Sequence, residues 1–430
     1  MQQQGEALFI QGGTPLRGEV HVNTAKNSAL YLILASLLTR EPVRLHDIPR
    51  LSDVLVALEI LEHVGVEVRW EGRDLHLHAA DVHTCGAPYS LVSKMRASFV
   101  AMGALLARCG RARISMPGGC AFGPRPVDRH IAAFQALGVQ IDEEGGDFHA
   151  FRGAKLAGRV EFEAPTVGGT QNVLLATALA GGRVTIVNAA LEPEIADLAN
   201  MLNAMGARIS GAETGTIEIE GVSELSGVDY RPLPDRIEAG TLMLATAATR
   251  GTVTLRGINA SHLEAVSSKL RETGVRIIEA GEDGLLVDAS GDLQAVDVTA
   301  AEYPEIPTDL QAPFSAYLAT LPGASVVRDR VYPDRFTHVD ELRRTGADVE
   351  LFERTLIIRG GRLAGARMHA ADIRAGGALV IAALGATGTS VISGLQYVDR
   401  GYEALTERLV ALGAKAVRKV ASSAPAVAGD

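Results

Sequence analysis

The chain has 430 residues and a formal net charge of −10, from 41 basic against 51 acidic side chains. That length exceeds one ordinary hydrophobic core and predicts two or three domains. Apolar content of 47% with 21% charged residues describes a soluble globular protein. The acidic balance excludes a nucleic-acid partner held by bulk electrostatics, so any anionic ligand needs a local cluster of cations.

In chain order, the first residues carry no basic start and no apolar run, so no secretory signal is legible and a cytoplasmic location is expected. Ala29 to Leu38 is the longest apolar candidate; it is too short to span a bilayer and reads as a buried helix, with no membrane partner implied. From there one element recurs: an amphipathic helix, a glycine, then a strand–turn–strand. Its marker glycines are Gly65, Gly138, Gly206, Gly274, Gly346 and Gly413, spaced 67 to 73 residues apart. Each stands where a left-handed residue ends a helix. A second, alanine-rich helix precedes each marker: Asn27–Leu38, Lys94–Ala107, Thr170–Ala180, Glu238–Thr249, Leu310–Leu321 and Ala375–Ala386. Small apolar side chains on nearly every face mean burial on most sides. The unit is strand–helix–strand–helix–strand–strand, six times over, which makes two domains of three units each. Their boundary falls near Tyr230-Arg-Pro-Leu-Pro-Asp235, and a ligand cleft between the domains is expected. The last ten residues, 421–430, read as a disordered tail.

The segment Pro117-Gly-Gly-Cys-Ala-Phe-Gly-Pro-Arg-Pro-Val127 has too many glycines and prolines for a helix or central strand. It is a loop carrying a thiol, Cys120, and a guanidinium, Arg125. Two readings stay open there: a surface turn, or a reactive loop that moves over a ligand. Lys26 is one of six lysines against 35 arginines and opens a buried helix, where free N–H groups gather anions. Arg96, Arg125, Arg335, Arg374 and Arg400 interrupt apolar or turn contexts. Arg335, Arg374 and Arg400 each follow an Asp closely; each reads alone as a structural ion pair and together as a guanidinium cage for phosphate and carboxylate. Asp309 and Asp235 each precede a buried helix and read equally as plain N-caps. Three cysteines (Cys85, Cys109, Cys120) show neither C-x-x-C nor zinc spacing and fit reduced thiols. His76, His78, His83 and Cys85 lie close in sequence, but a metal site there lacks a fourth convergent ligand. Neither a Walker lysine nor a dinucleotide fingerprint is present.

These motifs in this order resemble the enolpyruvyl transferase family, in its UDP-N-acetylglucosamine branch, from about Leu8 to Val420. The resemblance rests on Ala25-Lys-Asn27, Pro117 to Asp128, Glu192-Pro-Glu194, Pro234 to Gly240, Pro307 to Gln311, Asp372 to Gly376 and Asp399-Arg-Gly-Tyr402. It implies two inside-out α/β barrels, one over residues 26–233 and the other over 1–25 with 234–430. It implies transfer of the enolpyruvyl group of phosphoenolpyruvate to the 3′-hydroxyl of UDP-N-acetylglucosamine, early in peptidoglycan synthesis. No cofactor, metal or obligate protein partner is implied. By the family pattern Cys120 resembles the general acid and Asp309 the base, while Lys26, Arg125, Arg374 and Arg400 look like the anion cage. Asn27, Arg96, Asp128, Thr166, Val167, Gly168, Glu192, Val331 and Arg335 match substrate contacts. This chain departs from the pattern at Thr24, where glycine is usual, at Ala164 and at Leu191. Thr24 is expected to alter the approach to Lys26, since threonine does not take positive φ cheaply. The shikimate branch, or a non-catalytic paralogue that binds the nucleotide sugar, are the alternatives.

Overall fold

The computed structural model describes residues 5–93, 96–116 and 127–420, with backbone alone at 96 and 97. The chain forms two compact units. One comprises Asn23–Asp235 with Glu302–Pro304; the other takes the described residues up to Val22, Arg236–Ala301 and those from Glu305 on. Cys120, Arg125 and the C-terminal tail singled out above lie outside the described residues.

Each unit holds three four-stranded sheets of one design: a parallel pair at one edge, then two antiparallel pairings. In the first unit the sheet of Gly158–Glu161, Arg183–Val187, Thr216–Glu220 and Arg208–Ser210 shows the order directly. The repeat is permuted in the first sheet. Its opening strand is Val228–Tyr230, from the far end of the segment, which pairs in parallel with Val43–Leu45. The second unit does the same with the chain's own start. Arg17–His21 opens one sheet beside Thr252–Arg256, and Glu6–Gln11 sits between Thr389–Ser393 and Lys415–Val420. In both units, strands from opposite ends of the segment satisfy backbone groups that a linear repeat would leave unpaired. All six marker glycines have positive φ, between 81° and 110°, and end their helices as the periodicity predicts.

The alanine-rich helices are the core. They run Lys26–Ala35, Ala101–Cys109 and Val167–Ala178 in the first unit, and Arg236–Ala248, Gln311–Leu318 and Ile373–Gly385 in the second. All thirteen residues of Arg236–Ala248 and all eight of Gln311–Leu318 are buried. The three helices of the second unit pack on one another, with the sheets outside them. This is an α/β fold turned inside out, and the many alanines and glycines on these helices help them pack closely. Several helices begin two or three residues before their predicted starts, which brings the flanking polar residues into the first turn. No helix among the described residues is long and apolar enough to cross a membrane.

The cysteine reading is corrected. Cys85 and Cys109 form a disulfide, with Cα atoms 6.3 Å apart. The Cys85 carbonyl accepts from Arg113 N at 2.9 Å, which lays its loop along the strand that follows Cys109. That contact brings the two thiols within bridging range.

Close helix packing in the first unit turns on Asn172. Its Oδ1 accepts the Gly103 N–H at 2.8 Å, so its Nδ2 must donate to His130 Nδ1 at 2.9 Å, which makes that nitrogen an acceptor. A Cβ on Gly103 would collide with the carbonyl and side-chain oxygens of Asn172. Gly103→Ala therefore lowers stability by about 2 kcal/mol, despite alanine's helix preference of about 1 kcal/mol. Denaturant unfolding checks this, and unchanged stability would show that the helices have room to separate. Burial pushes the His130 pKa down to about 4. The unfolded ring gains its proton near pH 6.5 and the folded ring only near pH 4. Its contribution is thus complete above pH 6.5 and falls by about 1.4 kcal/mol per pH unit between those limits. Imidazole NMR of the native protein should show His130 neutral down to about pH 5; a midpoint near the ordinary value would refute that placement.

Candidate functional site

The repeat puts chemistry-bearing residues in equivalent places. Lys26 is the first residue of its buried helix, Thr166 the N-cap of another, and Arg236 the first residue of a third. Asp309 lies in the short 3-10 turn Thr308–Leu310 that leads into Gln311–Leu318. Asp372 caps Ile373–Gly385, with Arg374 in its first turn. Arg96 opens the 3-10 turn Arg96–Val100 before Ala101–Cys109. Helix N-termini present free N–H groups and a partial positive charge, so each of these positions favours an anion.

In the first unit Lys26 is 6% exposed, and its Nζ donates to Asp53 Oδ2 at 2.9 Å. Its backbone N–H donates to Asp235 Oδ2 at 3.2 Å, so Asp235 caps the Lys26 helix from the far end of the unit. Two residues on, Ser28 Oγ donates to Asp197, which also accepts from Tyr230 Oη at 2.7 Å and Leu233 N at 3.2 Å. Burial raises the Asp197 pKa in spite of those three donors. Asn27 is half-buried beside Lys26, and Glu192 is the N-cap residue of Pro193–Ala204, the helix that carries Asp197. Asp128 opens the exposed end of Asp128–Ala136, which packs on Val167–Ala178. There a Cβ on Gly168 would sit 3.1 Å from His130 Cε1, and Thr166 Oγ1 accepts from Gly169 N at 3.3 Å. The Gly168 backbone thus lies against one neutral histidine, with Asp128 two residues from that histidine and Thr166 and Val167 adjoining Gly168 in the chain.

In the second unit a carboxylate lies between two guanidinium groups. Arg335 Nη1 donates to Asp309 Oδ1 and Arg374 Nη2 to Asp309 Oδ2, each at 2.7 Å. The arginines are 7% and 5% exposed. Burial pushes the Asp309 pKa up, but the charges and hydrogen bonds of Arg374 and Arg335 outweigh it and hold the carboxyl well below the usual range. Arg335 Nη1 also donates to Thr308 Oγ1 at 3.2 Å, and that hydroxyl donates to Asp329. Asp329 accepts from Val331 N at 2.9 Å, which ties Val331 to the cluster. The Arg374 guanidinium lies 5.6 Å from the Tyr402 ring centroid, and a Cβ on Gly401 would be 3.4 Å from its Nη1. The Arg400-Gly-Tyr402 turn therefore abuts Arg374. His338 is buried behind this cluster, and burial lowers its pKa to about 4.

Several expectations change. Asp309 makes no N-capping hydrogen bond, so the plain-cap alternative fails for it. The Asp neighbours of these arginines hold other partners: Asp334 bonds Arg354, Asp399 bonds Arg418, and Asp372 caps its helix through Arg374 N and Ala375 N. Arg335 and Arg374 reach instead across 26 and 65 residues to Asp309. Thr24 does not take positive φ. It forms a β-bridge with Pro234 and donates from Oγ1 to the Asp47 carbonyl. The His76 and His78 rings face Glu71 and Glu67, while Cys85 is spent in the disulfide; no three ligating side chains converge among the described residues. Sequence reading missed Asp53, Asp197, His130 and His338. Asp53 stands second in its helix, where an acidic residue is unremarkable, and nothing local marks it as the partner of Lys26.

Residues 10–409 match the family model of EPSP synthase (3-phosphoshikimate 1-carboxyvinyltransferase). A UDP-N-acetylglucosamine 1-carboxyvinyltransferase from Thermus thermophilus is 55% identical over 408 residues, covering 95% of this chain and 96% of that protein. Another, from Deinococcus radiodurans, is 52% identical over 413 residues, covering 96% and 97%. Among solved structures, the enolpyruvyl transferase NikO from Streptomyces tendae aligns with a TM-score of 0.86 at 24% identity, over 97% of this chain and all of that one. EPSP synthase from Acinetobacter baumannii aligns with a TM-score of 0.72 at 19% identity, over 96% and 100%; at such identities both bear on fold alone. On its sequence relatives and its repeated architecture, the chain belongs to the enolpyruvyl (1-carboxyvinyl) transferase family.

Proposed function

We propose that the protein transfers the enolpyruvyl group of phosphoenolpyruvate to the 3′-hydroxyl of UDP-N-acetylglucosamine and releases phosphate. The carrying observation is identity of 52 to 55% with UDP-N-acetylglucosamine 1-carboxyvinyltransferases over about 95% of the chain. The paired guanidinium groups of Arg335 and Arg374 support an anionic donor. In this reading Asp309 takes the proton of the sugar hydroxyl as its oxygen attacks C2, and the Cys120 thiol protonates C3. The tetrahedral ketal then loses a C3 proton as the bond from C2 to the phosphate oxygen breaks. Lys26, Arg125, Arg374 and Arg400 hold the donor's negative charge through these steps, preorganised cations doing the work of electrostatic stabilisation without a cofactor. Asn27, Arg96 and Arg335 contact the reacting groups. Asp128, Thr166, Val167, Gly168 and Val331 serve the nucleotide sugar, and Glu192 lies at the margin. The reaction belongs to peptidoglycan synthesis in the cytoplasm.

The family model's own description favours one second reading, in which shikimate 3-phosphate is the acceptor. Phosphate release from phosphoenolpyruvate with each acceptor separates the two. Turnover is expected with UDP-N-acetylglucosamine; turnover only with shikimate 3-phosphate would overturn the assignment, and nucleotide-sugar binding without release would mark a non-catalytic relative. Asp309→Asn should keep nucleotide-sugar affinity and lose at least about 100-fold in kcat. Fosfomycin should alkylate and inactivate the native protein, and mass spectrometry of Cys120→Ala should show no adduct.

A further inference from the structure

Asp309 as the structure holds it is a poor base. A general base works best with a pKa near the working pH, and two buried guanidinium groups hold this carboxylate far below that. If Asp309 does serve as the base of the proposed transfer, something must weaken its hold on both arginines first. We infer that the Arg335–Asp309–Arg374 ion pairs form a lock opened by the donor substrate's own negative charge, so that the carboxylate becomes available only once that anion has taken over its arginines.

Charge and geometry both support this. The triad is largely buried, so charges inside it are weakly screened and an anion brought against the two guanidinium groups interacts strongly with them. Asp309 divides its two oxygens between two arginines. Divided in this way, it gives neither arginine the parallel two-oxygen fork that is the strongest guanidinium–carboxylate contact. An incoming carboxylate or phosphate can offer that fork and displace it. The arginines stay in place meanwhile, because each has further anchorage: Arg335 on Thr308 Oγ1 and against the Tyr332 ring, Arg374 against the Tyr402 ring. The nearby Asp372 and Asp329 are occupied with the helix N-terminus and with Thr308, Val331 and Tyr332. His338 is neutral, so it adds no competing cation.

The consequence is opposite to that of an ordinary binding residue. If Asp309 competes with the anion, removing its charge must tighten anion binding. Calorimetric titration of phosphoenolpyruvate into Cys120→Ala, and of inorganic phosphate into the otherwise unaltered chain, gives the reference affinities. Adding Asp309→Ala or Asp309→Asn should lower both dissociation constants by about tenfold or more. The control is Asp340→Asn, which removes one exposed carboxylate elsewhere in the same unit and should leave both unchanged. Equal or weaker binding in the Asp309 variants, or equal tightening in the control, would overturn the lock. Circular dichroism verifies folding. Should both variants unfold, carboxyl carbon NMR of the unaltered protein decides: saturating phosphate must move the Asp309 titration upward, and an unmoved titration ends the proposal. The inorganic phosphate arm needs no turnover, so failure of the enolpyruvyl assignment and failure of the lock remain distinguishable.

Discussion

Two buried guanidinium groups cannot stand side by side without a counter-charge, and in the second unit Asp309 supplies it. A buried ion pair adds little to stability by itself, because desolvation consumes most of the attraction, but breaking one leaves an uncompensated charge at a cost of several kcal/mol. Arg335 and Arg374 are therefore kept inside only while some anion faces them. The surrounding structure reads as a consequence. Thr308 and Asp329 steady one arginine, the Tyr402 ring backs the other, and Asp372 turns away to cap its helix.

The repeat explains why such a site exists in this fold. A helix buried on every face still exposes its first N–H groups at one end, and six equivalent helices provide that end six times. Three of them show different answers. Asp235 and Asp372 accept backbone N–H groups, Thr166 caps with a hydroxyl, and Lys26 adds a cation that Asp53 balances. The small residues that let the helices approach also put polar groups where water does not reach, which is why Asn172 must satisfy Gly103 N and His130 together. The positive helix ends and their charged side chains create a local attraction for anions within a chain whose net charge is −10.

What could be read from the sequence was what is local in the backbone. Gly65 and its five counterparts mark helix ends because a left-handed residue is needed there whatever packs around it, and all six have positive φ. The alanine-rich runs announced burial for the same reason. Pairings between distant residues were not legible. Arg335 follows Asp334 and Arg374 lies two positions beyond Asp372, yet both arginines reach Asp309, because helix geometry commits Asp372 to capping and Asp334 faces Arg354. Cys85 and Cys109 carry no spacing signal; a strand register joins them. Val228–Tyr230 entered the first sheet because Val43–Leu45 needed a parallel neighbour, a requirement that appears only once the unit closes on itself.

A closed triad also limits what the site can do without its substrate. With both oxygens of Asp309 engaged and its basicity suppressed, the carboxylate neither attracts a proton nor activates a hydroxyl that wanders in. A weak monoanion must still compete with Asp309 for the same donors. A ligand bearing a carboxylate and a phosphate brings more than one negative charge, enough to neutralise the arginines and release the carboxylate in the same event. In the proposed reading, the affinity given up in displacing Asp309 is the free energy that restores its basicity, so binding and activation of the base are coupled by electrostatics. The same competition that weakens the resting site for any anion makes its chemistry conditional on the one that carries enough charge.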